Sequence, residues 1–261
     1  MIDAYLSRIG YEGPRDPTPE TLRALHERHM LSVPFENLDI HWQRPIVVDA
    51  ARCIEKIVRE QRGGFCYELN GAFAALLRTL GFDVTLLSAR VPCADGTLGP
   101  PFDHMALLVR FGDQRMLADA GFGDSFVRPL DLDERGEQHD PAGVFRIAEG
   151  RMMRRHGDEW RTEYVFTLEP HDFEDFAPMC AWQQSSPDSA FTKKWVCSLA
   201  TPGGRITLTR DRLIVTRDGI REERAVSADE WNGVLRDTFG IAWPGGSSGS
   251  RTASSRSTPR A

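Results

Sequence analysis

Gln61-Arg62-Gly63-Gly64-Phe65-Cys66-Tyr67-Glu68-Leu69-Asn70-Gly71 sets two glycines and a cysteine at the point where a helical pattern begins. Leu69, Phe73, Leu76, Leu77 and Leu80 recur at helical spacing and stop at Gly81, so Cys66 falls in or near the first turn of a helix. The glycines before it admit a tight backbone approach and conformations closed to other residues. At a helix start the unpaired amides and the positive end of the dipole favour a thiolate over a thiol. Cys66 is therefore either a nucleophile or, as most free cysteines are, a small buried hydrophobe.

Upstream of this stretch, residues 1–85 read as helical. Thr18-Pro19-Glu20-Thr21 is a helix start, with Thr18 as cap and Pro19 in the first turn. His26 and His29 share the face of that helix. With no further ligands beside them they read as solvated or satisfied side chains, not as a metal site. Pro34 ends the helical pattern, and Phe35 behind it is either core filler or the wall of a pocket. A second helix over 49–61 carries Ile54, Ile57 and Val58 on one face.

Downstream the period changes. Segments 84–91, 105–111 and 115–119 are rich in apolar and β-branched residues, with Gly112-Asp113 as a hairpin turn between the last two. Further strands are expected over 144–148, 151–155 and 160–168, which favours an antiparallel barrel or sandwich over alternating βαβ units. A polar, variable loop is expected over 131–143. A helix near 191–198 should precede a meander over 205–209, 212–217 and 220–224, and Ser227-Ala228-Asp229-Glu230 starts a last helix through Val234, Leu235 and Phe239. Residues 245–261, with almost nothing apolar to pack, read as a disordered tail.

The chain has 261 residues, 41% of them hydrophobic and 27% charged, and a formal charge of -6, which argues against nucleic acid or anionic membrane as the main partner. Local basic groups remain able to hold a small phosphorylated ligand. Met1 to Leu6 lacks the basic and long apolar regions of a signal peptide, and no apolar run is long enough to span a bilayer. Five scattered cysteines (Cys53, Cys66, Cys93, Cys180, Cys197) without a CxxC pair read as reduced thiols, so a cytoplasmic protein without a metal centre is expected.

A nucleophilic cysteine needs a base, and the base needs an orienting group. If the strands flanking Gly112-Asp113 pair, His104 lies opposite positions 120–121 and beside Asp119 at one end of the hairpin. Docking that end on the helix start at Cys66 yields a Cys-His-Asp triad. Taken singly, His104 only caps a strand and Asp119 only bonds turn amides. Asp103 competes for the acidic role, but successive strand side chains point to opposite faces, so Asp119 is preferred.

Arg62-Gly63-Gly64-Phe65-Cys66, Ser88-Ala89-Arg90-Val91, His104-Met105 and Asp119-Ala120-Gly121-Phe122-Gly123, with Ser32-Val33-Pro34-Phe35-Glu36-Asn37-Leu38 upstream, together resemble the arylamine N-acetyltransferase family. The resemblance runs in order to about Phe191. It implies an α+β fold with a cysteine-protease- or transglutaminase-like core: a helical domain (1–85) carrying the nucleophile, an antiparallel β-barrel (86–186) carrying His104 and Asp119, and an interdomain helix with an α/β lid (187–244). It also implies ping-pong acetyl transfer from acetyl-CoA through Cys66 to an arylamine, arylhydroxylamine or hydrazine. Arg62 resembles a structural arginine, and Phe35 a substrate-pocket aromatic. Gly121, Phe122 and Phe191 resemble cleft residues, and a backbone amide near Cys66 with one at Cys93 or Val91 is the candidate oxyanion hole. Pro92-Cys93 departs from the family's usual aromatic after Ala-Arg-Val, which leaves donor and acceptor preference open. An amide synthase or transglutaminase-like acyltransferase with the same triad stays as the alternative enzyme, and a catalytically silent scaffold as the reading from another class.

Overall fold

A computed structural model describes residues 1–243; the tail read as disordered, 245–261, lies outside the described residues. The chain opens with five helices: α1 (Ile2–Arg8), α2 (Pro19–Ser32), α3 (Leu38–His41), α4 (Ala50–Val58) and α5 (Cys66–Thr79). Thr18 accepts the Thr21 amide at the start of α2, with Pro19 in the first turn. Asp49 accepts the Arg52 amide at the start of α4. Both are N-cap bonds that satisfy an otherwise orphaned helical donor.

The next eight strands, β2 (Asp83–Arg90), β3 (His104–Phe111), β4 (Gln114–Ala118), β5 (Leu130–Asp131), β6 (Gln138–Asp140), β7 (Gly143–Ala148), β8 (Arg151–His156) and β9 (Glu159–Phe166), form one antiparallel sheet in the order β5-β4-β3-β2-β9-β8-β7-β6. Its outer strands do not pair directly. Gln138 instead accepts the Asp131 amide and donates to the Asp131 carbonyl, both at 2.8 Å, and the Asp140 carboxylate takes the Val127 and Arg128 amides at 2.9 Å each. These side chains nearly close the sheet into a barrel. The polar stretch 131–143, expected to be a variable loop, thus contains the short strand β6.

Strand β3 shows why its sequence reads as an unbroken apolar run. Met105, Leu107 and Val109 pack toward the helices, whereas Ala106 and Leu108 face the barrel interior. Both faces are buried, so the polar half of a period-2 pattern is missing. The helices and the outer face of β2–β4 share one core, centred on Phe65, Tyr67, Phe73 and Leu77 of α5 and the turn before it.

After the barrel come a 3₁₀ turn (Phe173–Phe176), α6 (Ala177–Ser185) and α7 (Ala190–Lys193). A second antiparallel sheet follows, in the order β1-β10-β11-β12-β13, and α8 (Ala228–Phe239) packs on it through Trp231, Leu235 and Phe239. Its strands are β1 (Phe35–Glu36), β10 (Cys197–Thr201), β11 (Gly204–Leu208), β12 (Arg212–Arg217) and β13 (Ile220–Ala225). Ser227 and Glu230 form the capping box expected at the start of α8. The helix expected near 191–198 is corrected: only Ala190–Lys193 is helical, and Cys197 begins a strand that pairs with Phe35–Glu36. Pairing across this sequence distance overrides local propensity. No helix among the described residues is long and apolar enough to cross a membrane.

Candidate active site

The two glycines before Cys66 serve close approach rather than unusual backbone angles. Neither has a positive φ; Gln61, just before Arg62, adopts the left-handed conformation instead, at φ 54°. A Cβ on Gly63 would lie 1.7 Å from the Pro34 carbonyl oxygen, and one on Gly64 would lie 2.6 Å from a Glu68 carboxylate oxygen. Gly64 can therefore pair with Phe35, its carbonyl accepting the Glu36 amide at 2.9 Å. Glu68, at the third helical position, takes the Phe65 amide at 3.2 Å.

The same turn rests on a buried set of charges. Arg62 bonds Glu36 at 2.7 Å and Asp39 at 3.0 Å, with its guanidinium 4.3 Å from the Trp42 ring centre. Lys56 bonds Glu68 at 2.7 Å and Asp39 at 2.8 Å. Burial acts upward on Asp39 but is outweighed by Lys56 and Arg62, which hold its carboxyl below the usual range. Arg62 thus fixes the loop before Cys66 from behind.

Cys66 is the first residue of α5, where the amides of the opening turn have no helical acceptor. Four residues on, Asn70 faces the same way. Its Nδ2 donates to the Met105 carbonyl at 2.6 Å and to Asp119 Oδ1 at 2.9 Å, and its Oδ1 accepts the Ala120 amide at 2.8 Å. The hairpin pairs Leu107 with Ala118 and turns at Gly112-Asp113, so the register carried three residues further sets His104 across from Gly121. Gly121 is pressed on the nucleophile's own backbone: a Cβ there would lie 2.7 Å from Cys66 Cα. A single hairpin end therefore brings His104, Asp119 and Gly121 against the start of α5.

His104 Nε2 lies 2.7 Å from Asp119 Oδ2, and both residues are buried. Asp119 Oδ1 also accepts the Gly121 amide at 3.0 Å. Burial alone would push the Asp119 carboxyl up; His104, Asn70 and Gly121 outweigh it and hold it below its usual range. Burial pushes the Cys66 thiol well up, Cys180 and Asp119 add to this, and the Met105 amide opposes it. Asp103 turns away as strand alternation requires, its Oδ1 accepting Gln183 Nε2 at 2.6 Å.

The remaining predicted residues divide. Phe122 stands edge-on to His104 with ring centres 5.1 Å apart, and Phe35 and Phe191 lie 6.2 Å apart. Val91 is half-buried, with its amide 3.4 Å from the Asp103 carboxylate. Cys93 is exposed, and its amide donates to the Thr97 carbonyl at 2.7 Å. Both amides thus have acceptors within the protein. Next to Phe35 and Phe122, a cavity of about 520 Å³ opens between the barrel rim and the second sheet. Arg154, Arg205 and Arg221 line it, and Asp124 sits 3.1 Å from Arg154 and 3.3 Å from Arg205. No group of three or more potential metal ligands occurs among the described residues.

Sequence reasoning passed over Asn70, Glu68 and Lys56. The spacing of Asn70 from Cys66, one helical turn, was the available signal.

A model of the N-acetyltransferase family matches residues 18–245. The arylamine N-acetyltransferase / N-hydroxyarylamine O-acetyltransferase of Salmonella typhimurium is 36% identical over 80% of this chain and 76% of its own. The structure of the arylamine N-acetyltransferase from Mycobacterium abscessus superposes with a TM-score of 0.86 at 31% identity, covering 94% of this chain and 91% of that one. That of a Bacillus cereus arylamine N-acetyltransferase, described as having a Cys-His-Glu catalytic triad, does so with 0.86 at 26% identity, covering 92% and 98%. The fold, the buried His-Asp pair at the helix start and these matches agree: the chain belongs to the arylamine N-acetyltransferase family of acyltransferases.

Proposed function

We propose that this protein transfers the acetyl group of acetyl-CoA to the nitrogen of an arylamine, arylhydroxylamine or arylhydrazine in two half-reactions through an acetyl-Cys66 thioester. The observation that carries the reading is the buried 2.7 Å His104–Asp119 contact on a hairpin end pressed against the Cys66 backbone. A lone thiolate at Cys66 is opposed by burial. Proton transfer to His104 avoids that penalty, because it creates a thiolate–imidazolium pair with no net charge, stabilised by Asp119 beyond the imidazole.

In the first half-reaction the Cys66 sulfur attacks the acetyl carbonyl, the carbon–sulfur bond to CoA breaks, and the CoA sulfur leaves with the proton held by His104. In the second, the amine nitrogen attacks the thioester, His104 takes the nitrogen's proton as the tetrahedral intermediate collapses, and the Cys66 sulfur departs. The amides of the first turn of α5 are the donors nearest the developing oxyanion. Phe35, Phe122 and Phe191 offer an apolar wall to an aromatic acceptor. The arginine-lined cavity beside them suits the phosphates of CoA, since Arg154, Arg205 and Arg221 outnumber Asp124.

Steady-state kinetics with acetyl-CoA and aniline test the scheme. Parallel double-reciprocal lines and loss of turnover in Cys66→Ala, His104→Ala and Asp119→Asn are expected; intersecting lines, or turnover kept by Cys66→Ala, reject it.

A further inference from the structure

His26 lies on α2, remote in sequence from the reacting residues, and is fully buried. Its imidazole joins two backbone groups. Nδ1 is 2.7 Å from the Val127 carbonyl oxygen, which can only accept, so Nδ1 carries the proton and donates. Nε2 is therefore an acceptor, and it receives the Asp119 amide at 3.0 Å. The ring is neutral and fixed in one tautomer, stacked on Phe126 with centres 5.8 Å apart and edge-on to Phe73 at 5.6 Å. Burial lowers its pKa; the contacts with Val127 and Asp119 and the Asp140 carboxylate act against that. The other titratable group facing it is His29, one turn along the same helix.

Asp119 and Val127 bound the segment that carries Gly121 against Cys66, Phe122 beside His104 and Gly123 beside Phe35. One imidazole thus ties down both ends of the segment. Asn70 and Gly121 set the Asp119 carboxylate from the opposite side, and the Asp119 amide points to His26.

We infer that His26 is a positioning residue for acetyl transfer: by receiving the Asp119 amide and donating to Val127 it fixes the orientation of the carboxylate that holds His104, together with the aromatic wall of the site. It never touches the reacting atoms. The inference rests on the reading that Asp119 orients His104 for catalysis. A histidine serving stability alone would, when replaced, lower the melting temperature and leave the chemistry of the folded protein unchanged.

Two isosteres separate the two ends of the clamp. His26→Asn keeps a donor near Nδ1 for Val127 and loses the acceptor at Nε2; His26→Gln places an amide oxygen near Nε2 for the Asp119 amide. The measurements are kcat and KM for acetyl-CoA, and the rate of Cys66 alkylation by iodoacetamide from pH 5 to 9, on full-length protein shown folded by near-UV circular dichroism. His26→Asn is expected to lower kcat and the neutral-pH alkylation rate about tenfold, the loss of one buried hydrogen bond, with KM nearly unchanged. His26→Gln is expected to restore most of the rate. A wild-type pH profile and kcat in folded His26→Asn overturn the inference, as do equal losses in both variants that track their melting temperatures. Asp119→Asn measured alongside separates the two levels: if it too keeps wild-type rates, the triad reading has failed and takes this inference with it.

Discussion

Asn70 is the most informative residue to perturb, because its side chain ties the helix that begins at Cys66 directly to Asp119, Ala120 and Met105 at the hairpin end bearing His104. It is fully buried and makes three hydrogen bonds, of 2.6 Å to the Met105 carbonyl, 2.9 Å to Asp119 Oδ1 and 2.8 Å from the Ala120 amide. Asn70→Ala leaves the Ala120 amide without that acceptor, takes a donor from the Met105 carbonyl and removes one of the bonds to a buried carboxylate. Asp119 keeps the Gly121 amide and His104. An orphaned buried group costs about 1–3 kcal/mol, so a loss of about 3 kcal/mol is expected after partial relaxation. Asn70→Asp keeps the acceptor for Ala120 but sets a second carboxylate oxygen against Asp119 and the Met105 carbonyl. It should cost more than Asn70→Ala at pH 7 and recover as acid supplies a shared proton. Urea unfolding followed by tryptophan fluorescence at pH 7 and pH 5 reads both effects. A loss below about 0.5 kcal/mol for Asn70→Ala, or an Asn70→Asp variant more stable than Asn70→Ala at pH 7, would refute the reasoning.

Arg62→Met should cost about 3–5 kcal/mol in the same assay, because Glu36 and Asp39 remain buried with Lys56 as their main counter-charge; Arg62→Lys should recover only part, since an ammonium cannot bridge both carboxylates and stack on Trp42. His29 is buried with Nε2 unbonded, and burial pushes its pKa down from 6.5 to about 3. Its unfolded form therefore binds a proton first: the stability tied to neutral His29 is complete above pH 6.5 and falls as pH drops toward 3. Between pH 6.5 and 5 that amounts to about 2 kcal/mol, and His29→Gln should flatten the urea-midpoint profile over this interval relative to wild type.

Where local chemistry decides, the sequence was readable. The Thr18 and Ser227 caps and the Glu68 bond to the Phe65 amide at the start of α5 follow from side chains bonding nearby backbone, and the two-residue turn after Phe111 from the left-handed conformation that Gly112 adopts at φ 61°. The hairpin turn then fixes the register, which is why His104 and Asp119 could be set together before any coordinates. Legibility ended where partners come from far along the chain. Residues 191–198 end in a strand at Cys197 and Ser198 because these meet Glu36 and Phe35 on one side and Leu208 and Thr207 on the other. His26 and Asn70 look like any polar residue on a helix until the barrel supplies Asp119, Val127 and Met105. Of the two uses that sequence allows the glycines at 63 and 64, close approach and special backbone angles, only the first is realised, because the Pro34 carbonyl that crowds Gly63 arrives from another element.

The acetyl carrier itself can be observed directly. Incubating the protein with acetyl-CoA without amine, quenching in acid and mapping peptides by mass spectrometry should find one acetyl group per chain on Cys66, matched by release of one CoA and discharged when aniline is added. Absence of acetyl on Cys66 under conditions that support turnover, or acetyl on Cys66 that amine does not remove, would contradict the account.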